Sequence, residues 1–203
     1  MYNKIKIYGF WGLIELIVFK IKTFVFYRNS RLIRFPLVVR GKGNIDFGKG
    51  LTTGVGCRIE AYQKENSNKK VIHIGKNVQI NDYVHITGMN KVVIGDNVLM
   101  ASKIYISDSS HGFYEGGDND SNPDQIPIDR KYKVGEVIIG DNVWLGEFVS
   151  VLPDVIIGKG SIIGANSVVT KNIPAYSIAV GSPARVIRKY NFSTQRWEIV
   201  KKD

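Results

Sequence analysis

Aliphatic positions in the second half of the chain recur every six residues. Ile139, Leu145, Val151, Ile157, Ile163 and Val169 form one unbroken series, and a second register runs four residues later through Val143, Val149, Val155, Ser161, Ser167 and Ile173. An amphipathic helix needs recurrences near 3.6 residues, of which six is not a multiple, so helix is excluded here. Gly140, Gly146, Gly158 and Gly164 each follow the aliphatic residue, and Asp141-Asn142 and Ala165-Asn166 come next in two of the hexads. Gly and Asn accept the backbone angles of a tight corner, while Val and Ile suit short strands stacked on like residues. Each hexad therefore predicts one short strand and one corner. A hexad cannot bury its aliphatic side chain alone, so the coils must stack into a solenoid.

The same register appears earlier at Ile74, Ile80 and Ile86, shifts by two residues across Thr87-Gly88-Met89-Asn90, and resumes at Ile94, Met100 and Ile106. Traces around Phe47-Gly48 and Val55-Gly56 put the first coil near residue 37. The expected layout is a basic, aromatic helical segment over 1–36, a solenoid over 37–182, and a C-terminal capping helix with a tail over 183–203, after the punctuation of Gly181-Ser182-Pro183. Polar excursions interrupt the coils at about 63–70 and 107–134. Structureless loops longer than about 15 residues are uncommon and tend to be functional, so chemistry is expected at the second.

The segment from Ile7 to Phe26 is rich in aliphatic and aromatic residues, but Glu15, Lys20 and Lys22 interrupt it. A bilayer crossing needs about 20 uninterrupted apolar residues, and no small-residue cleavage site follows a short apolar run. Two readings stay open. The segment is a helix packed on the solenoid or on a partner subunit, or it is an interfacial helix whose Trp11 and Phe side chains enter the headgroup region while Lys and Arg meet anionic lipid. Charge bears on this choice. The net charge of +10 is concentrated at the ends: residues 1–42 carry nine Lys/Arg against one Glu, residues 185–203 carry six against two acids, and the middle has thirteen against fifteen. The near-neutral middle argues against a nucleic-acid binder and favours anionic lipid or a phosphorylated cofactor as the partner. With 203 residues and 44% hydrophobic content, one main domain is expected, and the single cysteine, Cys57, fits a cytoplasmic, reducing setting.

The strings Ile94-Gly95-Asp96-Asn97-Val98 and Ile139-Gly140-Asp141-Asn142-Val143-Trp144-Leu145-Gly146, with the terminal Gly181-Ser182-Pro183-Ala184-Arg185, resemble the hexapeptide-repeat acyltransferases. Within that family the chain looks like the bacterial lipopolysaccharide O-antigen and capsule O-acetyltransferases, relatives of the galactoside and maltose acetyltransferases. The resemblance implies an all-β fold, a left-handed parallel β-helix with about three hexads per turn. It also implies a homotrimer with its sites in the clefts between neighbours, acetyl-CoA as co-substrate along each cleft, and no metal. The reaction implied is direct transfer of an acetyl group, in a ternary complex, to a hydroxyl of a sugar or lipid-linked oligosaccharide that is a surface-polysaccharide precursor. A peripheral position at the inner face of the cell membrane accords with the N-terminus.

Acyl transfer to a hydroxyl needs a base and a donor for the developing oxyanion. His111 stands at the head of the long excursion, in Ser107-Asp108-Ser109-Ser110-His111-Gly112, and its spacing from Gly95 resembles that of the family's catalytic histidine. His73 and His85 flank inward aliphatics and are expected to be structural, with His85 kept as an acceptor contact. Asn81 matches an acceptor-binding asparagine, a residue type that also fills corners, and Asp82 would orient a base or meet a sugar hydroxyl. Met89 stands where the galactoside enzymes carry an acid, which argues against a simple galactoside acceptor. Trp144 would border the thioester channel and assist the oxyanion, or pack between subunits. Gly146, Ala165, Thr170, Lys171, Arg185 and Arg188 match the coenzyme A positions, where small residues let the pantetheine arm approach and the cations meet phosphate. Glu147 departs from the small polar residue found there. Rival readings are an N-acetyltransferase acting on an amino sugar nucleotide, a non-catalytic solenoid scaffold, and a γ-carbonic-anhydrase-like metalloenzyme. The last needs three histidines, two of them closely spaced, a pattern that His73, His85 and His111 lack.

Overall fold

A computed structural model describes residues 4–62 and 69–200. Most of the first excursion, at 63–68, lies outside the described residues. A helix over Lys4–Phe26 precedes a prism built from three parallel sheets. The first face stacks Leu37–Arg40, Cys57–Ala61, His85–Gly88, Tyr105–Ser107, Ser150–Val151 and Val168–Val169. The second stacks Ile45–Phe47, Ile72–Ile74, Lys91–Ile94, Glu136–Ile139 and Val155–Ile157. The third stacks Thr52–Thr53, Gln79–Ile80, Leu99–Met100, Trp144–Leu145, Ile162–Ile163 and Ser177–Val180. The chain visits the faces in the order first, second, third, which is the parallel β-helix that the period of six requires.

Register explains the core. On the first face Ile59 pairs with Ile86, Ile86 with Ile106, Ile106 with Val151 and Val151 with Val169, so one inward position is aliphatic at every level and all five side chains are fully buried. Each contributes roughly 1.5–3 kcal/mol of burial. Corners are stacked as strictly. Asn77, Asn97 and Asn142 occupy the second-to-third corner with φ of 55°, 58° and 58°, and their side-chain amides bond one to the next at 3.4 and 3.2 Å. At Gly146 a Cβ would fall 2.7 Å from the Ala165 nitrogen, so only glycine lets these coils approach. Gly146→Val is expected to cost about 1–3 kcal/mol, measurable as a lower urea midpoint with unchanged slope.

The N-terminal helix docks through a short stretch. Phe19 and Thr23 are buried, Phe19 lies 6.1 Å from the Phe35 ring, and Thr23 Oγ1 accepts from Ile33 N at 2.8 Å while donating to Phe19 O at 2.7 Å. After a break at Gly9, whose backbone is not helical, Trp11, Ile14, Ile17, Ile21 and Phe24 recur at three- and four-residue intervals and stay exposed, Trp11 at 78%, with Ile7 and Phe10 exposed beside them. Among the described residues no helix is long and apolar enough to cross a membrane.

The C-terminal segment corrects one expectation. Among the described residues no capping helix forms over 183–200. Instead Arg185–Asn191 and Arg196–Ile199 make an antiparallel hairpin that extends the third face beyond Ser177–Val180. The alternation in Arg-Val-Ile-Arg-Lys-Tyr-Asn carries β-branched and aromatic residues that suit a strand. Tyr190 and Trp197 pair across the hairpin with rings 5.3 Å apart. Residues 201–203 lie outside the described residues.

Candidate active site

The long excursion begins with an anchor. Asp108 is fully buried and its carboxylate accepts the backbone N–H groups of Met89, Asn90 and Lys91, each at 2.8 Å. These residues form the turn where the repeat shifts register, so one carboxylate ties that turn to the root of the loop. Ser109–His111 then pairs antiparallel with Tyr132–Val134, setting His111 opposite Tyr132 with ring centroids 4.3 Å apart. Tyr114 Oη donates to the His111 carbonyl at 2.6 Å, and Arg130 Nη1 donates to Tyr114 Oη at 2.9 Å. Arg130 also holds the Pro123 and Gln125 carbonyls. The excursion is thus a structured flap whose contacts converge on His111.

Between this flap and the first face lies a pocket of about 390 Å³. Its floor is the outward side of the first face, with Glu60, His85, Thr87, Tyr105 and Ser107, and its wall carries Ser109, Ser110, His111 and Tyr132. Met89 and Tyr62 complete the rim. Hydroxyl and imidazole groups therefore surround one cavity of sugar-unit size.

Glu60 was not anticipated from sequence. It points outward from its strand yet is 2% exposed, because Arg40, Arg58 and His85 close over it. Oε2 meets Arg58 Nε at 3.1 Å and His85 Nε2 at 3.0 Å. Oε1 lies 2.9 Å from Arg40 Nη1, an ion-pair contact without hydrogen-bond geometry, so it lacks a donor. The one available signal was the alternation in Cys57-Arg58-Ile59-Glu60-Ala61, which puts Glu60 on the outer side. Its neighbours on other coils were hidden by the excursion that follows.

Burial, with the Arg58 guanidinium beside it, pushes the His85 imidazole below its ordinary value of 6.5 against the pull of Glu60. In the neutral ring Nε2–H donates to Glu60 Oε2 at 3.0 Å, and the lone pair of Nδ1 faces Arg58 Nη2 at 3.2 Å. Because the folded value is depressed, the unfolded chain binds the proton more readily. This contribution to stability is complete above pH 6.5 and declines as the pH falls below it. His85→Gln should flatten the melting-temperature profile in that acid window relative to wild type.

The other predicted residues fall on different edges of the prism. Asn81 and Gly146 share the third-to-first corner, since their N–H groups bond Met100 O and Ile163 O in the common register, and Ala165 lies next to Gly146 on the following coil. Asp82 does structural work at that corner, its Oδ1 accepting Val55 N at 2.8 Å, and Asn81 Oδ1 accepts from Gln79 Nε2 at 3.2 Å. The His111 pocket lies at the other end of the first face, beside its corner with the second, so one chain does not bring Asn81 and Asp82 to His111. Trp144 stands on the outside of the third face between Leu99 and Ile162, 48% exposed. Thr170 and Lys171 are exposed after the last first-face strand. Arg185 and Arg188 lie on the terminal hairpin, bonded to Ala184 O at 3.1 Å and Trp197 O at 3.3 Å. His73 is on the second face, 3.8 Å from Asp46, so the three histidines do not converge.

Comparison with known proteins agrees with this architecture. Residues 136–171 match the family model described as bacterial transferase hexapeptide (six repeats). The chain is 46% identical over 193 residues, 95% of its length and 96% of the relative's, to the protein named as the lipopolysaccharide biosynthesis O-acetyl transferase WbbJ of Escherichia coli (strain K12). It is 40% identical over 142 residues to the galactoside O-acetyltransferase of the same organism, covering 69% of this chain and 64% of that one. Among solved structures, a maltose O-acetyltransferase from Clostridium difficile 630 aligns with a TM-score of 0.54 at 32% identity, over 73% of this chain and 71% of that one. AntD, an N-acyltransferase from Bacillus cereus in complex with dTDP and 3-hydroxybutyryl-CoA, aligns with a TM-score of 0.66 at 22% identity, over 82% and 83% of the two chains, a likeness of fold alone. The stacked hexads, the corner glycines and the near full-length likeness to WbbJ make this chain a member of the hexapeptide-repeat acyltransferase family.

Proposed function

We propose that the protein is an O-acetyltransferase that moves the acetyl group of acetyl-CoA to a sugar hydroxyl of a lipopolysaccharide or capsule precursor. The observation that carries this reading is the His111 ring on a hydrogen-bonded flap above a pocket lined with hydroxyl groups. His111 takes the proton of the acceptor hydroxyl as its oxygen attacks the thioester carbonyl. The new C–O bond forms, the C–S bond breaks, and the departing thiolate recovers the proton from the imidazolium. The indole N–H of Trp144 is the candidate donor to the oxyanion, and Lys171, Arg185 and Arg188 are candidates for the phosphates of the cofactor along a channel lined by Gly146, Ala165 and Thr170. His85, its ring nitrogens engaged by Glu60 and Arg58, is a candidate acceptor contact through the face of its ring on the pocket floor.

Separation of Asn81 and His111 on two edges favours a site completed between subunits of a homotrimer. Mixed oligomers test this. Asn81→Ala and His111→Ala proteins, each inactive alone, should regain activity when co-assembled, because some clefts then carry both native residues. No recovery on mixing would count against a shared cleft. The N-acetyl alternative is separated by product chemistry: an acetate ester is released by mild alkali and an acetamide is not.

The exposed stripe of the N-terminal helix, flanked by Lys20, Lys22 and Arg28, supports peripheral attachment to anionic membrane at its cytoplasmic face. Changing Phe10 and Trp11 to serine should weaken vesicle binding while leaving acetyl-CoA affinity intact. Equal vesicle binding by both proteins would favour packing against another subunit.

A further inference from the structure

The second-to-third corner carries an aspartate cap at two rungs and a lysine at two others, residues 76 and 159. The register of the third face, Thr52 with Gln79, Gln79 with Leu99 and Leu99 with Trp144, sets residues 49, 76, 96 and 141 above one another at the preceding corner. At two rungs an aspartate caps the main chain of the coil before it. Asp141 Oδ1 accepts from Asp96 N at 2.9 Å, and Asp96 Oδ1 accepts from Lys76 N at 2.7 Å. At the next rung the cap for Lys49 N would have to come from residue 76, which is a lysine and has no lone pair to offer. The Lys49 N–H thus lacks the aspartate acceptor that Lys76 N and Asp96 N have, as does Asp141 N above Lys159, but only at Lys49 do further cations gather.

Lys49, Lys76 and Arg31 line an open pocket of about 440 Å³ there, together with Asn29, Ser30 and Asn77. Asn77 Oδ1 fixes the Arg31 guanidinium at 3.1 Å. No carboxylate lines the pocket, and among the described residues none of these three cations has an ion-pair partner. Lysines stacked one coil apart, about 4.8 Å in the hydrogen-bonding direction, repel each other unless an anion sits between them.

We propose that this corner binds a phosphate group, one oxygen of which replaces the missing aspartate cap on Lys49 N–H while Lys49, Lys76 and Arg31 neutralise its charge. The phosphate is that of a lipid headgroup. Lys20 Nζ donates to the Arg31 carbonyl at 2.6 Å, so the pocket adjoins the helix whose Ile14, Ile17, Ile21 and Phe24 are exposed. This site lies on a different corner from the His111 pocket and from Asn81 and Gly146, and it does not depend on the acetyl-transfer reading.

The test uses the full chain and two probes, neither of which reports acetyl transfer. Inorganic phosphate, titrated at fixed ionic strength, should shift the Lys49 and Gly50 amide resonances saturably. Lys76→Asp restores the repeat's own cap, so this variant should melt no lower than wild type and show no such shifts. Its binding to phosphatidylcholine vesicles containing phosphatidic acid should fall about twentyfold, since one positive charge is exchanged for a negative one. Lys76→Ala, which removes the charge without filling the position, should give an intermediate loss. Serine at Phe10 and Trp11 should weaken vesicle binding and leave the phosphate shifts unchanged. A flat wild-type titration, or an undiminished one in Lys76→Asp, overturns the site. Phosphate shifts abolished by Lys76→Asp with vesicle binding unaltered would overturn the headgroup as the source and assign the corner to a soluble phosphate.

Discussion

His111→Ala is expected to slow acetyl transfer about 100- to 10,000-fold, the usual cost of losing a positioned general base. The ring is exposed and belongs to the flap, so its removal takes nothing from the aliphatic core. Acetyl-CoA affinity should change little, because the proposed cofactor contacts lie on coils after residue 140. Loss should therefore appear in kcat and in kcat/KM together, the pattern of an interaction made in the transition state. Retention of more than about a tenth of wild-type turnover would remove His111 from the role of base and direct attention to His85.

The second large effect concerns Asp108, whose carboxylate receives three backbone N–H groups from the turn at Met89, Asn90 and Lys91. In Asp108→Asn one oxygen becomes an amide donor that faces other donors. Setting a donor in a fully buried position among part-buried N–H groups should cost about 2–5 kcal/mol. For a chain of this size that corresponds to a melting temperature lower by about 5–15 °C. The flap should also lose its root, so turnover should fall even at temperatures where the variant is folded. A melting temperature within about 2 °C of wild type would mean that the flap is anchored elsewhere.

Much of this was legible in the chain. The period of six has one physical solution, short strands with glycine and asparagine corners, and the observed register of Ile59, Ile86, Ile106, Val151 and Val169 follows from it. The departure from that period at 107–134 pointed to the flap, and His111 at its head lines the pocket. What escaped were contacts between coils. Glu60 meets His85 across the excursion at 63–70, and Asp108 meets residues 89–91 through a two-residue shift in register, so neither partner could be found by counting hexads. The C-terminal hairpin was misjudged because Pro183 and the charged tail suggested a helix start, whereas cross-strand ring contacts such as Tyr190 with Trp197 favour strands. The lysine at position 76 acquires meaning only beside Asp96 and Asp141, which the fold sets in line with it.

Acetate esters set on a surface polysaccharide by means of His111 are the proposed product. NMR of the polysaccharide from a deletion strain complemented with wild type or with His111→Ala tests this most directly. Alkali-labile O-acetyl signals should be present with wild type and absent with the variant, with N-acetyl signals equal in both. O-acetylation that persists with the variant, or a change confined to N-acetyl groups, would contradict the account.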